Sequence, residues 1–543
     1  MVLIEYYADR WFLRNENVYA TAGDIRFMTK KTVFITGVTG SMGGAGLNEL
    51  LRRRDRFDLV TLVRPSAVNK KKLRKLLREP GLRVVWGDLT CYEDVLACVS
   101  GADIVLHPAA MIAPAADHDP EAALAINVGS TENILRAIKA QPDPDQIKLV
   151  NIGSVAMTGD RLYPIHVGRT GDPIKPSIYD AYACSKIDAE QLVAESGLKY
   201  WVSCRQTFIA VPDTLALMDP IMFHQPLQTC IEFCTAHDSG VLLANACEDS
   251  VPDSFWRNFY NIGGGASARL TFIELMERVF TGLGLGHPKQ ITQRNWFALR
   301  NFHCQWYEDS SRLNDYLQFQ SMGVDEYVAS VLKGSPWYVS LPSKPGVRWL
   351  MGRPWAQALI RRLLMKPLAF KTSDSTMYWL SNDLVGRVSA FFKDRESWES
   401  IPEDWDTIQR PSFEDYQRLD HGYDETLEDH QLDLTQMQRA ALFRGGQCLS
   451  ESMAEGALMQ QLQWQCWRGH HFQMTPNTVL KGGHWCPRCA PQKKGWDFDA
   501  EAKKNPFFAQ VWYPNHDTSE QQHYPQDCYL DVVKEPSVST SSA

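Results

Sequence analysis

FITGVTGSMGGAG, residues 34–46, places glycines at positions 37, 40 and 43 directly after a run of β-forming residues. In a dinucleotide-binding loop, glycine permits the tight turn after the strand, lets the backbone approach the pyrophosphate and lets the next helix pack on the sheet. We therefore predict a dinucleotide site here, with a merely tight turn as the alternative. The predicted contacts are Gly37, Thr39, Gly40, Ser41, Met42 and Gly43.

Short apolar runs alternate with helical stretches from residue 31 to about residue 203. The predicted strands are TVFIT, LVTLV, RVVWG, DIVLH, KLVNIGS and YWVSC. This alternation is typical of βαβ units and predicts an α/β fold with a doubly wound parallel sheet of Rossmann type. The region from residue 206 to residue 340 shows no strand periodicity, and we predict that it forms a small substrate lobe completing the first domain.

The ends of the next strands supply further cofactor contacts. Arg64 follows the second strand, where an acid would bind the ribose hydroxyls of NAD and an arginine instead attracts the 2′-phosphate of NADP. NADP is therefore predicted, with NAD as the alternative if Arg64 is only a solvated residue. Asp88 and Leu89 after the third strand are predicted to bind the adenine. Ala109 and Ala110 after the fourth strand let the cofactor lie against the backbone.

Three side chains predict proton transfer. Ser154 lies just past the fifth strand, and Tyr182 and Lys186 are four residues apart on a predicted helix, so they share one face. A nearby ammonium group is expected to lower the pKa of the tyrosine towards neutrality, which makes the phenol a general acid or base. Ser154 is expected to hold the substrate oxygen.

These motifs resemble those of the extended short-chain dehydrogenase/reductase family, which includes NAD-dependent epimerase/dehydratase-like enzymes. The matching residues are Thr36, Gly37, Gly40, Gly43, Asp88, Leu89, His107, Ala109, Ala110, Asn127, Val128, Thr131, Ser154, Tyr182, Lys186, Arg205 and NIGGG at 261–265. The resemblance covers about residues 31–282. It implies an NAD(P)-dependent enzyme in which Ser154 orients the substrate, Tyr182 exchanges the proton, and Lys186 binds the ribose and tunes Tyr182. Tyr179 has no lysine four residues on and is expected to be pocket wall.

Phe208 distinguishes between branches of that family. Nucleotide-sugar epimerases and dehydratases usually carry asparagine three residues after the arginine equivalent to Arg205, and phenylalanine offers a sugar diphosphate no polar partner. The nearest resemblance is to hydroxysteroid-dehydrogenase-like and flavonol-reductase-like enzymes, which implies hydride transfer between nicotinamide and a carbonyl or secondary alcohol of a lipophilic small molecule. A sugar or nucleotide-sugar epimerase using bound NAD(P) is the alternative. The residues expected to form an apolar pocket, or else ordinary core, are Phe208, Ile209, Met218, Ile221, Met222 and Phe223.

Four residues near the C-terminus have metal-ligand spacing. They are Cys466, His470, Cys486 and Cys489. Such a set completes a tetrahedral site that suits structural zinc, and the segment resembles a treble-clef or zinc-ribbon module. His471 and His484 are alternative ligands. We expect the module to brace the catalytic domain or to form a homodimer contact; the alternative of another class is a cofactor-binding sensor or scaffold whose zinc module binds nucleic acid.

The segment before this module changes from basic to acidic. Residues 344–371 contain seven Lys or Arg and no acid, interleaved with large apolar residues, which predicts a basic amphipathic helix. Residues 394–433 contain fourteen acids and three arginines, which predicts a linker with short helices. We expect the basic helix to dock against the acidic stretch, with binding to a membrane surface as the alternative.

Length and composition set the remaining expectations. The chain has 543 residues and a net charge of −8, so neither nucleic acid nor an anionic membrane is expected as a partner. No apolar run of membrane-spanning length occurs and thirteen cysteines suit a reducing compartment, so we expect a cytoplasmic protein. The predicted units are an N-terminal extension (1–27), the dinucleotide-binding and substrate domain (28–340), the basic helix and acidic linker (341–435), the zinc module (436–530) and a disordered tail (531–543).

Overall fold

The structure is a computed structural model that describes residues 30–212, 219–336, 339, 341–489, 495–525 and 530. The predicted N-terminal extension 1–27, the predicted tail 531–543 and Met218 of the predicted pocket lie outside these residues. The strands are β1 (Lys31–Ile35), β2 (Phe57–Val63), β3 (Leu82–Trp86), β4 (Ile104–His107), β5 (Lys148–Ser154), β6 (Val167–Gly168), β7 (Trp201–Gln206), β8 (Ile209–Ala210), β9 (Cys230–Glu232), β10 (Cys234–Thr235), β11 (Asn258–Ile262), β12 (Arg269–Thr271), β13 (Trp306–Tyr307), β14 (Gln447–Cys448), β15 (Leu462–Gln465) and β16 (His471–Met474).

Helices cover the sheet and extend the chain beyond it. The α-helices are α1 (Ser41–Arg52), α2 (Ala67–Leu73), α3 (Tyr92–Val99), α4 (Ala115–His118), α5 (Pro120–Lys139), α6 (Ala181–Ala194), α7 (Ala236–Asn245), α8 (Phe272–Gly282), α9 (Pro288–Ile291), α10 (Ser310–Leu317), α11 (Val324–Gly334), α12 (Pro345–Met351), α13 (Pro354–Ile360), α14 (Lys366–Phe370), α15 (Thr376–Ser381), α16 (Val385–Phe392), α17 (Arg395–Glu399), α18 (Leu434–Phe443), α19 (Phe498–Lys504) and α20 (Pro506–Trp512).

A seven-stranded sheet with the order β11-β7-β5-β4-β1-β2-β3 forms the centre of the molecule. Every neighbouring pair in it is parallel. The strands are buried because helices pack on both faces, and their near-continuous apolar sequences reflect this. The predicted α/β fold and its six predicted strands are therefore confirmed.

Residues 206–340 contain strands, although their sequence shows no strand periodicity. β11 lies in this region and pairs with β7 as the edge strand of the main sheet. Short strands also form three small two-stranded sheets, β10 with β8, β12 with β9 and β13 with β6. β11 contains two asparagines in five residues, which hides its apolar character in the sequence.

The basic segment 344–371 is not one helix. Helix α12 ends before Gly352, α13 begins at Pro354, and α13 continues through a π-helical turn at Arg361–Met365 into α14. No ion pair joins this segment to the acidic stretch within the described residues, and docking between the two stays a prediction. The acids of the stretch pair elsewhere, for example Glu425 with Arg169 at 2.8 Å.

One hydrophobic cluster joins segments on both sides of the predicted boundaries at residues 340 and 435. It includes Phe223 and Tyr327 from the substrate lobe, Trp379 from α15, and Trp496 and Trp512 near the C-terminus. These side chains are at most 4% exposed. The C-terminal half of the chain therefore shares a core with the first half.

Glu190 on α6 links this C-terminal half to the main sheet. Its fully buried carboxylate accepts hydrogen bonds from the Arg205 guanidinium (2.6 Å), the Ser203 hydroxyl (2.8 Å) and Nε2 of His484 (2.8 Å). Arg205 also donates to the Gly482 carbonyl at 2.5 Å. Because these donors favour the charged form, the pKa of Glu190 is lowered to about 2, even though burial alone would raise it.

We expect Glu190→Gln to lower the free energy of unfolding by about 3–5 kcal/mol, because it leaves the Arg205 charge buried without a counter-ion. Asp325→Asn is the matched control: Asp325 pairs with Arg278 on the surface, where its side chain is 85% exposed, and we expect a loss of at most about 1 kcal/mol. Urea unfolding measures both. Equal effects in the two variants would contradict the role given to Glu190.

Candidate functional site

A cleft of about 690 Å³ opens at the carboxyl ends of β1 to β5. It lies where ligands bind in open α/β sheets. The structure brings thirteen of the predicted residues to its wall: Gly37, Thr39, Gly40, Ser41, Met42, Gly43, Arg64, Asp88, Leu89, Ala109, Ala110, Tyr182 and Lys186. Ser154 ends β5 beside Tyr182, and its hydroxyl is close enough to lower the pKa of the Tyr182 phenol.

Two of the three loop glycines are required by the backbone itself. Gly37 has φ +65°, and a Cβ there would lie 2.9 Å from the Cα of Ala109. A Cβ on Gly43 would lie 2.4 Å from the Gly37 carbonyl oxygen. A Cβ on Gly40 meets only an ordinary contact, at 3.4 Å from the same oxygen. Gly40 precedes the first turn of α1 and has no side chain to cap it, so its position leaves the amides of that turn accessible from the cleft.

A buried histidine supports the loop from behind. The Thr36 hydroxyl lies 3.1 Å from Nδ1 of His107 and accepts a hydrogen bond from the Ala109 amide at 3.1 Å. Nε2 of His107 lies 3.3 Å from the Thr131 hydroxyl. Burial lowers the pKa of His107 to about 3, so the ring is neutral and serves as a hydrogen-bonding spacer between β1, β4 and α5.

The adenosine end of the cleft is more open. Arg64 is exposed at the end of β2, where the structure places it on the cleft wall beside Asn69. Asp88 follows β3, and its Oδ1 accepts hydrogen bonds from the amide and the hydroxyl of Thr90, both at 2.9 Å. These bonds fix the orientation of the Asp88 carboxylate at the rim.

Tyr182 and Lys186 lie on the first two turns of α6. Asp180 starts this helix by accepting a hydrogen bond from the Ala183 amide at 2.7 Å. The Asn127 side chain on α5 donates to the Ser185 hydroxyl at 2.8 Å, and that hydroxyl donates to the Tyr182 carbonyl at 2.7 Å. The first turn of α6 is therefore held from α5 as well as by its own cap.

The expected lowering of the Tyr182 pKa is wrong for the protein alone. Burial raises the pKa of Tyr182 to about 12, and the hydrogen bond with Ser154 offsets only part of this effect. Burial also lowers the pKa of Lys186 to about 8, although the Glu190 carboxylate opposes the change. The phenol is therefore protonated at neutral pH, and the ammonium group begins to lose its proton near pH 8.

Most of the described residues that were predicted to form an apolar pocket belong to the ordinary core, which is the alternative that the sequence left open. Of the members that the structure describes, Ile209 alone lines the cleft. Phe223 is fully buried, and Phe208 and Met222 pack against the same hydrophobic cluster. Tyr179 is 5% exposed and stacks on Trp496, with ring centroids 6.3 Å apart, so it belongs to the core and not to the cleft wall.

A second cluster begins about 280 residues beyond Lys186 in the sequence. Two of its residues lie in the turn between β15 and β16, and two lie in the loop that follows β16. Its members are Cys466, His470, Cys486 and Cys489, whose ligand atoms all lie within 4.8 Å of one another. The sulfurs of Cys466 and Cys489 are 3.8 Å apart, and Nδ1 of His470 is 3.3 Å from the Cys489 sulfur. A tetrahedral zinc with bonds of about 2.3 Å to sulfur requires sulfur atoms about 3.8 Å apart, so the donor set and its spacing fit this metal.

The two alternative histidine ligands lie elsewhere. His471 is exposed and contacts the Gln465 side chain at 2.9 Å. His484 is buried against Glu190. The four-residue set is therefore the one that the structure assembles.

The network of Glu190, Arg205 and His484 was missed as a functional element in the sequence. The sequence identifies Arg205 only as a residue that matches the family pattern, and His484 only as an alternative metal ligand. The available signal was Glu190 itself, because it lies one helical turn after Lys186 and a carboxylate on that buried face requires partners.

Among the residues that the structure describes, no helix is both long enough and apolar enough to cross a membrane.

Known proteins resemble the part of the chain that forms the cleft. Residues 33–207 match the model of the NAD dependent epimerase/dehydratase family. A UDP-glucose 4-epimerase from Rickettsia akari is 34% identical over 173 residues, which are 31% of this chain and 48% of the epimerase. A 3 beta-hydroxysteroid dehydrogenase/Delta 5→4-isomerase from Mycobacterium tuberculosis is 29% identical over 179 residues, 31% of this chain and 44% of that enzyme. The chain thus spans less than half the length of these relatives.

Solved structures are similar to this chain at lower sequence identity. A dTDP-glucose 4,6-dehydratase from Bacillus anthracis in complex with NAD has 16% identity and a TM-score of 0.44, covering 58% of this chain and 100% of its own. The Bordetella bronchiseptica enzyme WbmH in complex with NAD⁺ has 20% identity and a TM-score of 0.42, covering 56% and 98%. In sequence, the segment 33–207 is thus similar to the NAD dependent epimerase/dehydratase family.

Proposed function

We propose that the protein is an NADP-dependent oxidoreductase that transfers hydride between nicotinamide and a carbonyl or secondary alcohol of a lipophilic small molecule. The convergence of Tyr182, Lys186 and the glycine loop on one cleft, with Ser154 beside Tyr182, carries this proposal. The similarity to a hydroxysteroid dehydrogenase supports chemistry at a secondary alcohol.

The residues of the cleft fit a dinucleotide. The loop has no side chain at positions 37, 40 and 43, which leaves room for a phosphate before α1, and Arg64 offers a cation for a 2′-phosphate. Asp88 would bind the adenine and Lys186 the ribose beside the nicotinamide. When bound, the cofactor supplies or accepts the hydride.

The side chains of the protein supply the proton. Since the pKa of Tyr182 is about 12, the phenol carries its proton at neutral pH and can donate it to a carbonyl oxygen as that oxygen gains negative charge. The Ser154 hydroxyl positions the same oxygen. The Lys186 ammonium stabilises the phenolate that remains after the proton has left. In the oxidative direction these roles reverse.

A sugar or nucleotide-sugar epimerase is the second candidate, because UDP-glucose 4-epimerases share 34% identity with this segment. Phe208 counts against it: the ring packs on the hydrophobic core and provides no polar partner for a sugar diphosphate. An epimerase returns the hydride within one turnover and causes no net change in nicotinamide absorbance. The proposed oxidoreductase consumes one cofactor for each substrate.

The C-terminal cluster is proposed to hold a structural zinc ion. All four ligand positions come from the protein, so no position remains for substrate. All twelve cysteines of the described residues, including the three of this cluster, are free of disulfide bonds, which suits the reducing environment of the cytoplasm. We propose cytoplasmic localisation on this ground.

The role proposed for this module is to brace α6. His484 lies two residues before Cys486 and donates to Glu190, which is one turn from Lys186. Thr475 of the same module donates from its amide and hydroxyl to Glu195 at the end of α6, at 3.2 and 2.8 Å. Both contacts fix the helix that carries the proton donor. The nucleic-acid alternative has no comparable contact in its favour.

Gly43→Ala tests the dinucleotide site. We expect the affinity for NADPH to fall by about tenfold or more, equivalent to about 1.4 kcal/mol, because the added Cβ displaces the Gly37 carbonyl. Gly129→Ala on α5 is the matched control: its Cβ meets nothing within 4 Å, and we expect unchanged affinity. Fluorescence titration measures both. Unchanged binding in Gly43→Ala would place the cofactor elsewhere.

Tyr182→Phe tests the proton donor in an assay that screens ketones and alcohols by nicotinamide absorbance. We expect kcat to fall by about 10²- to 10⁴-fold while NADPH still binds. Tyr179→Phe, three residues earlier in the core, is expected to retain activity. For the parent protein, kcat/KM for reduction should decrease above pH 8, as Lys186 loses its charge. Normal turnover by Tyr182→Phe would refute the assignment, and turnover without net absorbance change would favour the epimerase.

His484→Leu tests the brace. We expect kcat/KM to fall by about tenfold or more, whereas His484→Gln, which keeps an N–H donor towards Glu190, should retain most activity. Zinc content should stay constant in both, which separates docking from metal binding. His471→Leu, an exposed neighbour on the same module, is the control. Equal activity in His484→Leu and His484→Gln would show that the contact does not position α6.

A further inference from the structure

The described surface concentrates its large exposed apolar side chains in one place. Seven of the fourteen lie between residues 341 and 364, and both exposed tryptophans are among them. They are Leu341, Trp349, Leu350, Trp355, Leu359, Leu363 and Leu364. The others, such as Val385 and Leu442, are separated from one another along the chain. An exposed apolar group of this size marks an interaction surface.

Basic residues are interleaved with these apolar side chains. Lys344, Arg348, Arg353, Arg362, Lys366 and Lys371 are exposed, and the segment contains no acid. We call the seven apolar and six basic side chains the basic–apolar face. Within the described residues none of the six basic groups makes an ion pair. The Arg353 guanidinium instead lies 4.0 Å from the centre of the Trp349 ring.

The helical segment from residue 354 to residue 370 has a clear division between its two sides. Trp355, Leu359 and Leu363 follow at intervals of four residues and are 59%, 49% and 66% exposed. Ala356 and Met365 are at most 3% exposed and pack inward. One side therefore anchors the segment on the protein, and the other presents apolar and basic groups together.

We propose that the basic–apolar face binds the surface of a membrane that contains anionic lipids. Tryptophan and leucine side chains bury in the boundary between headgroups and acyl chains, while Arg and Lys beside them pair with lipid phosphates and carboxylates. This face can overcome the general repulsion expected for a chain of net charge −8. It requires no membrane-spanning helix.

Charge distinguishes this occupant from others. Self-association through the face would bring six unpaired cations against six more, which opposes a symmetric dimer. The acidic stretch 394–433 does not pair with it in the structure, and its Glu425 is engaged by Arg169. An anionic lipid surface offers negative charges that pair with the basic groups and an apolar layer in which the exposed tryptophan and leucine side chains can bury. The proposal does not depend on the enzymatic function.

Sedimentation of the full chain with vesicles tests the proposal. We expect the protein to pellet with vesicles of phosphatidylcholine and phosphatidylserine, less with phosphatidylcholine alone, and less again in 1 M salt, where the Debye length is about 3 Å. Trp349→Ala with Trp355→Ala should weaken partitioning by about tenfold or more. Leu442→Ala, a lone side chain that is 73% exposed, is the control.

A second pair of variants separates local from general charge effects. Arg348→Glu with Arg362→Glu should abolish binding to the anionic vesicles, whereas Arg74→Glu with Lys75→Glu, exposed residues following α2 with the same change in charge, should not. Thermal unfolding confirms that the variants fold. No binding by the parent, equal loss in both charge variants, or a parent dimer that dissociates in the tryptophan variants would overturn the proposal.

Discussion

The buried carboxylate of Glu190 is the contact on which the arrangement of this molecule depends. It meets one cation from the main sheet, Arg205, and one imidazole from the C-terminal module, His484, and none of the three groups is exposed. A buried charge is tolerated only when it is paired and hydrogen-bonded. The sheet, the helix with Tyr182 and the cysteine-rich module must therefore be in place together.

The cleft and the module place opposite demands on the side chains that form them. At Gly37, Gly40 and Gly43 no side chain is present, which leaves room for the phosphate of the proposed dinucleotide at the start of α1. At the cluster that includes Cys466 and Cys489, thiols lie close together so that a metal can hold a small segment in shape. Helix α6 lies between them, and its rigidity serves the proton transfer proposed for Tyr182.

Local features were predictable from the sequence. Gly43 could be recognised because a close backbone approach permits no other residue, and Tyr182 and Lys186 because helical spacing places them on one face. Features set by distant contacts were not. The pKa of Tyr182 depends on burial, the partners of Glu190 include a residue 294 positions away, and the apolar residues after Lys344 could equally have been covered by the acidic stretch.

The most direct test is hydrogen–deuterium exchange of the backbone amides in α6, residues 181–194, before and after a chelator removes the proposed zinc ion. If the module braces this helix through His484 and Thr475, its amides should exchange faster without metal. Those of α1, whose buried residues pack in a cluster that contains no module residue among the described ones, should not change. Unchanged protection in α6 after complete removal of the metal would contradict the account.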